Sequence, residues 1–304
     1  KRDGKALVRI DAVEPGCWVN IYPPFDKEGL EAIGREYDVP LDFLVDSLDT
    51  DERSRYEREE EVDLVVLNTP VANEGRFETE AHYITVPIGI ISTPDCILTI
   101  SAFENKVIDD FVANRIKNFD PADQSLFTLQ LFNRNVYYFL YYLREINNKR
   151  YAFESELYSS SRNKELKNLL DLQKSLVYFV TNLRANELMM NKIKRTNFLK
   201  IRGDEEKEDF LDDIIIDNSQ ASEMSDIYTN IMNGTMDAFA SIISNNLGRV
   251  VQRLTAVTIV LMVPTLVASF YGMNVHLPLE EHSMAFTLIL VVSVVLSLVM
   301  GGYF

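Results

Sequence analysis

Four consecutive residues, Tyr271-Gly272-Met273-Asn274, stand where two apolar stretches meet: residues 254–279 and 283–304 contain no Asp, Glu, Lys or Arg. Asn274 offers a neutral carbonyl oxygen. A small, hard divalent cation holds near-octahedral oxygen at about 2.0–2.1 Å and gives up water reluctantly. A ring of neutral oxygens could accept hydrogen bonds from the water of such an ion without stripping it. A carboxylate ring there would bind harder and release more slowly. Gly272 lets the backbone turn closely and present its carbonyl. Met273 packs the loop, because thioether sulfur prefers soft ions. The bland counterpart is a helix C-cap with glycine and asparagine in the left-handed conformation.

Other residues nearby suit the same chemistry. Val251 and Leu254 lie one helical turn apart, and a ring of apolar side chains in a narrow pore stops ions by dewetting. The alternative is that they touch a neighbouring helix. Thr265 can offer its hydroxyl oxygen to a hydrated ion. Pro264 has no N–H for the carbonyl of Val260, which bends the span or frees that oxygen. Glu280 and Glu281 could concentrate cations at an entrance, or be ordinary solvated loop residues. His276 and His282 are too few and too loosely placed to argue for zinc. An acidic run, Asp204-Glu205-Glu206-Lys207-Glu208-Asp209, leads into Asp212, Asp213 and Asp217.

The elements that must position these groups follow from periodicity and punctuation. Each apolar run is about the 20 residues that a helix needs to cross a bilayer core of roughly 30 Å. Upstream, a helical pattern runs from Gly203 with no proline before Pro264. Unbroken from about residue 209 to 271, it would be roughly 90 Å long at 1.5 Å per residue, a stalk that ends across a membrane. Gly234 and Gly248 weaken it by about 1 kcal/mol each relative to alanine. Between residues 122 and 203 proline and glycine vanish, and Leu126, Leu129, Phe132, Val136, Phe139, Leu140 and Leu143 recur at helical spacing. This predicts two antiparallel helices, 122–159 and 163–198, turning at Ser159-Ser160-Ser161. Tyr137, Tyr138, Tyr141 and Tyr142, taken to lack basic neighbours, read as packing residues rather than a base-stacking platform. The first 118 residues predict an α/β domain, with strands at 5–13, 17–22, 62–68, 82–91 and 96–101 and helices at 26–37, 41–48 and 106–117.

Composition closes off other classes. Of the 304 residues, 46 are acidic and 30 basic, a formal charge of −16. Duplex binding needs clustered Lys and Arg to replace counterions, so nucleic acid is not an expected partner. The acid excess suits cations, or simply keeps a cytoplasmic domain soluble. Cys17 and Cys96 stand alone, with neither a disulfide framework nor a zinc knuckle around them. No phosphate loop, nucleophile elbow or paired metal-ligand histidine is present, so the chain does not read as an enzyme.

The segment Tyr271-Gly272-Met273-Asn274, ending the first of two C-terminal spans before a short loop, resembles the CorA family of two-span Gly-Met-Asn metal transporters. Ala238-Phe239-Ala240-Ser241, Ser244-Asn245-Asn246, Met262-Val263-Pro264-Thr265 and Ala268-Ser269-Phe270 agree with it. The close likeness covers about residues 205–275, and the order of parts fits throughout. The resemblance implies an α+β membrane protein with an N-terminal α/β cytoplasmic domain (1–118), antiparallel long helices (119–202) and a stalk helix continuing into a pore-lining span (203–271, membrane part about 250–271). An external Gly-Met-Asn loop (272–282) and a lipid-facing span (283–304) would follow. It implies a homopentamer in the cytoplasmic membrane with both termini inside. Arg249 and Arg253 independently put the start of the first span on the cytoplasmic side.

By the same resemblance Leu254, Thr258, Met262 and Thr265 match pore-facing positions, with Val251 supporting the gate, and Tyr271 to Asn274 form the selectivity filter. Mg²⁺ would be both transported and regulatory. Asp213 and Asp237 match acidic stalk positions at which the ion binds between cytoplasmic domains and holds the pore shut; acids within 46–63 are the place to seek the partner of Asp213. Members often end in a short basic tail after the second span, and the sequence stops at Phe304. Two rivals remain open: a zinc transporter on the same scaffold, and a non-conducting, membrane-anchored sensor or scaffold. Polar Thr265, Ser269 and Asn274 are costly in a lipid-facing anchor and favour a pore.

Overall fold

The computed structural model describes residues 2–3, 6–10, 12–75, 77–159, 163–276 and 283–303. They fall into two compact units, Lys1–Thr235 and Met236–Phe304. The change of texture near residue 118 falls inside the first.

The first unit opens with a short pair, β1 (Arg2–Asp3) and β2 (Ala6–Leu7). Then come β3 (Cys17–Ile21), α1 (Lys27–Tyr37), α2 (Leu41–Asp46), β4 (Arg55–Glu59), β5 (Val62–Ala72), β6 (Tyr83–Ser92), β7 (Cys96–Ile100) and α3 (Lys106–Val112). Two long helices follow, α4 (Gln124–Ser159) and α5 (Asn163–Thr196), before the 67-residue α6 (Glu205–Tyr271). Strands β3-β7-β6-β5-β4 form one sheet, with β3 parallel to β7 and the other neighbours antiparallel. Leu30, Phe43 and Leu44 of α1 and α2 pack with Leu64, Val66, Leu98 and Ile100 on one face. Helices α4 and α5 lie on the other. Burial on both faces is why β5 and β6 read as continuous Val/Ile runs rather than alternating ones.

Three expectations shift. The strand expected over 5–13 pairs only at Ala6–Leu7. The helix expected to reach Lys117 stops at Val112, where Asn114 turns left-handed and the Arg115 N–H closes on the Asp110 carbonyl at 2.9 Å. Asp38 after α1 and Asn197 after α5 end their helices in the same way. Strand β4, Arg55-Tyr56-Glu57-Arg58-Glu59, was not expected, because its charges mask it. It is an edge strand whose arginines are paired locally: Arg55 with Glu52, Glu57 and Asp46, and Arg58 with Asp63.

The sheet holds the long helices through polar groups at strand ends. Strand β5 outlasts β4, which pairs only as far as Val66, so the Asn68 carbonyl has no ladder partner on that side. The amides of Asn135 on α4 and Asn186 on α5 donate to it at 3.0 and 2.9 Å. Phe139 meets Phe179 edge-on further along, so the two helices run antiparallel as expected. Trp18 of β3 donates to Thr99 Oγ1 at 2.8 Å and packs edge-on against Phe111, Phe119 and Phe127. The four tyrosines of α4 do have cationic neighbours: Arg134 lies 4.1 Å from the Tyr137 ring, and Lys106 of α3 lies 5.4 Å from that of Tyr142. Tyr138 and Tyr142 are nonetheless buried, so packing explains that pair.

Buried Asp110 ties α3 to α4. It accepts from Tyr138 Oη at 2.6 Å, from Arg115 at 3.0 Å and from Arg134. Burial pushes its carboxyl up, but these donors together outweigh burial and hold it below the usual carboxylate range. The Tyr138 hydroxyl, buried and bonded to that carboxylate, is pushed up to about 12. A depressed carboxyl contributes stability above its unfolded value, about 4, and loses it as pH falls through the folded value. Asp110→Asn should therefore lower the thermal midpoint at neutral pH, by about 1–3 kcal/mol of stability. Melts in detergent from pH 7 downward should show the gap to the parent narrowing in acid; a constant gap would mean that the charge is not what counts.

Candidate functional site

The second unit pairs the C-terminal part of α6 with α7 (Ala285–Tyr303). Among the described residues, the two helices long and apolar enough to cross a membrane are Glu205–Tyr271 and Ala285–Gly302. Lipid provides no hydrophobic force to press two helices together, so close packing of small side chains must do it. Along α7 the less exposed positions are Ala285, Ile289, Ser293 and Ser297, four residues apart. Gly301 continues the stripe, and a Cβ there would sit 3.3 Å from Val260 Cγ2. The Ser297 hydroxyl donates to the Ser293 carbonyl at 2.9 Å, which satisfies it within its own helix.

The α6 residues less exposed in this hairpin are Ala256, Ile259, Val260, Val263, Pro264 and Val267. At 100° per residue, Val251, Leu254, Thr258, Met262 and Thr265 fall about half a turn away. Those five are all exposed, Leu254 by 66% and Met262 by 63%. The structure thus gathers every sequence-predicted pore and gate residue on one face of α6 and gives the opposite face to α7. Thr258 and Thr265 donate their hydroxyl protons to the carbonyls of Leu254 and Leu261, at 2.8 and 2.9 Å. Their oxygen lone pairs remain free to accept from water on an ion.

The Gly-Met-Asn segment closes α6. The Gly272 N–H donates to the Ala268 carbonyl at 2.9 Å, and the Met273 N–H to Phe270 at 3.2 Å. A Cβ on Gly272 would crowd that Ala268 oxygen at 3.3 Å. Neither Gly272 nor Asn274 is among the left-handed residues, so the segment is not the left-handed cap considered above. Gly272, Met273 and Asn274 are exposed. Tyr271 and Gly272 line the groove between the helices with Pro264, Val267, Ala285 and Phe286, and Asn274 is not among its lining residues. Glu280, Glu281 and His282 lie outside the described residues.

In the first unit, α6 rests on α5. Leu211, Ile214, Ala221 and Met232 are buried, and Asn218 donates to the Leu183 carbonyl at 2.9 Å. Several acids of this part are already neutralised: Asp212 by Lys194 and Asp226 by Arg184. Lys207 reaches Asp123 at 2.8 Å; burial raises that carboxyl, and the lysine and its other donors more than offset this. Asp213 is exposed and lines a cleft of about 600 Å³ with Asp204, Glu206, Asp209 and Gln130. Asp237, in the second unit, is exposed too. Neither aspartate has an ion pair among the described residues. Nor do three or more His, Cys, Asp or Glu side chains gather closely enough there to hold a metal ion. Within residues 46–63, Asp46, Glu52, Glu57 and Asp63 are occupied by Arg55 and Arg58.

Sequence reasoning missed the stripe on α7. The signal was present, since Ser293, Ser297 and Gly301 repeat every four residues in an otherwise bulky run.

A profile described as CorA-like Mg²⁺ transporter protein matches residues 14–304. The chain is 26% identical over 295 residues to a cobalt/magnesium transport protein CorA of Methanocaldococcus jannaschii, covering 93% of this chain and 87% of that one. It is 23% identical over 298 residues to its namesake from Thermotoga maritima, covering 94% and 81%. The complete structure of the M. jannaschii CorA magnesium transporter superposes with a TM-score of 0.79 at 23% identity, over 94% of this chain and 89% of that one.

The helix pairing can be tested through Gly301. Gly301→Ala should cost little, because Val260 need shift only slightly. Gly301→Leu should wedge the helices apart and lower the thermal midpoint in detergent by the equivalent of about 1–3 kcal/mol. Equal midpoints for the two variants would show that this contact does not hold the hairpin.

Proposed function

We propose, from the premise that this chain belongs to the CorA-like Mg²⁺ transporter family, that five copies surround an axis and pass hydrated Mg²⁺ between their α6 helices. The observation that carries this reading is the two-sidedness of α6. Helix α7 takes one face, and Val251, Leu254, Thr258, Met262 and Thr265 share the other, exposed to partners outside the chain. A helix that merely anchored the protein in lipid would gain nothing from threonines aligned on one side.

The steps follow from the chemistry of the ion. Asn274 oxygens from five copies accept hydrogen bonds from its first-shell water, so the ion enters without losing that shell. Gly272 keeps the backbone close at the mouth, and Glu280 and Glu281 raise the cation concentration outside it. Thr265 and Thr258 offer further oxygens to the passing water. Leu254, with Val251 behind it, forms the apolar constriction that shuts the path when it dewets. With termini and start of α6 inside, the membrane potential drives uptake, at ~2.3 kcal/mol per charge per 100 mV. Transport of this kind makes and breaks no covalent bond, so the protein is not an enzyme.

Regulation would act through Asp213 and Asp237. By the family resemblance, the regulatory ion would bind between subunits. It would screen these carboxylates from those of a neighbour and favour the closed ring only by its differential affinity for that state. At low internal Mg²⁺ the carboxylates repel and the ring loosens.

Reconstitution into liposomes loaded with a divalent-sensitive dye tests the reading. Mg²⁺ influx is expected, with Co²⁺ or Ni²⁺ also admitted. Influx of Zn²⁺ alone would favour a zinc transporter, and no influx of any divalent ion would favour a non-conducting anchor. Asn274→Ala should cut the Mg²⁺ rate at least tenfold, equivalent to an effective barrier higher by about 1.4 kcal/mol or more. In the same assay, Asp213→Asn combined with Asp237→Asn should raise several-fold the internal Mg²⁺ needed to halve the flux. An unmoved inhibition curve would remove both residues from the mechanism.

A further inference from the structure

The stripe of α6 that faces α7 can be followed below the contact with Gly301. Continued toward the N-terminus at the same spacing of three and four residues, Val267, Val263, Val260 and Ala256 lead to Arg253 and Arg249. The contact of Gly301 with Val260 fixes the level of α7 in the second unit. Tyr303, the last residue of α7, lies two positions further on, about 3 Å along the axis. Arg253 lies seven positions below Val260, about 10 Å away, and Arg249 one turn beyond. Both arginines therefore lie on the same face of α6 as Val260, below the level of Tyr303. Both are exposed, and neither has an ion pair among the described residues.

Three physical facts bear on what meets them. The charge-free run begins at Leu254, so Arg253 stands at its edge, where hydrocarbon gives way to headgroups. Like charges four residues apart on a helix repel, and an anion between them removes that cost. A guanidinium presents paired N–H donors that match two phosphate oxygens, and long basic side chains near a span reach outward to the interface. The face matters as much as the charge. Val251, Leu254 and Thr258 point half a turn away, so a ring of these arginines does not line the proposed path, where it would repel divalent cations.

We infer that Arg249 and Arg253 form a clamp for the phosphate of an anionic phospholipid in the inner leaflet, seated on the face of α6 that packs on α7 higher up. The clamp rests on the membrane placement of the hairpin and not on conduction. A bound headgroup would extend the contact that α7 makes higher up and hold the outer face of α6 where the span meets water.

The test uses the full chain in detergent, titrated with phosphatidylglycerol or with phosphatidylcholine, reading the thermal midpoint and the lipids retained in native mass spectrometry. For the parent, phosphatidylglycerol should raise the midpoint and remain bound, and phosphatidylcholine should do neither. Arg249→Gln combined with Arg253→Gln should lose most of both effects, with its midpoint in phosphatidylcholine close to the parent's. The double Lys variant should keep part of them, since charge remains without the two-pronged geometry. If the double Gln variant does not fold, Arg253→Gln alone should lose part of the retained lipid. Undiminished phosphatidylglycerol binding in the Gln variants would overturn the clamp. An equal midpoint rise with inorganic phosphate would overturn the lipid assignment, leaving a free-anion site. Higher Mg²⁺ flux in the Gln variant with unchanged lipid retention would put the arginines on the path instead. None of these lipid readouts depends on flux, so a failure of the transport reading shows separately.

Discussion

Helix α6 has to satisfy two different surroundings half a turn apart, and the functional reading depends on that constraint. One face packs against small residues of α7, where close backbone approach is the available source of attraction in lipid. The other keeps its apolar and hydroxyl side chains clear of that contact. Because α-helical geometry fixes 100° per residue, one packing contact decides where every other side chain of the segment must point. Gly301 against Val260 is enough to orient Leu254, Thr258, Met262 and Thr265.

In the first unit the same economy appears in polar form. A sheet buried on both faces leaves few places to attach helices except through shape and strand ends. The Asn68 carbonyl, left over where β4 stops, takes an amide from each long helix. Asp110, out of water, is kept ionised by three donors and so binds α3 to α4. These contacts support α5, and α5 supports the start of α6. Among the acids of α6, those with a lysine or arginine at hand are spent on structure. Asp213 has no ion pair among the described residues, which is compatible with the sensing role proposed for it.

Much of this was legible beforehand. The sheet strands β5 to β7 announce themselves by Val/Ile runs, the long helices by the absence of proline and glycine, and the spans by the absence of charge. What escaped had physical reasons. Strand β4 is an edge strand whose alternating charges resemble a solvated loop, and only its pairing with Val62–Val66 reveals it. The end of α3 at Val112 depends on a left-handed asparagine, a conformation that composition alone does not demand. Tyr142 gains a cation from Lys106 because α3 folds back on α4, a neighbour remote in sequence. Of the acids in 46–63, Asp46, Glu52, Glu57 and Asp63 pair with Arg55 and Arg58, neighbours that charge counting along the chain does not assign.

The linear order of residues by itself determined the class of the protein: an acidic α/β portion, long helices, two charge-free spans and a Gly-Met-Asn segment between them. Charge, hydropathy and local motifs are properties of neighbours along the chain, so they survive without any fold. Which face of α6 meets α7, that Tyr271 and Gly272 but not Asn274 line the groove between helices, and which aspartates find an ion-pair partner were decided only by tertiary structure. Those outcomes depend on side chains far apart in sequence competing for the same space and the same counterions, and only packing settles that competition.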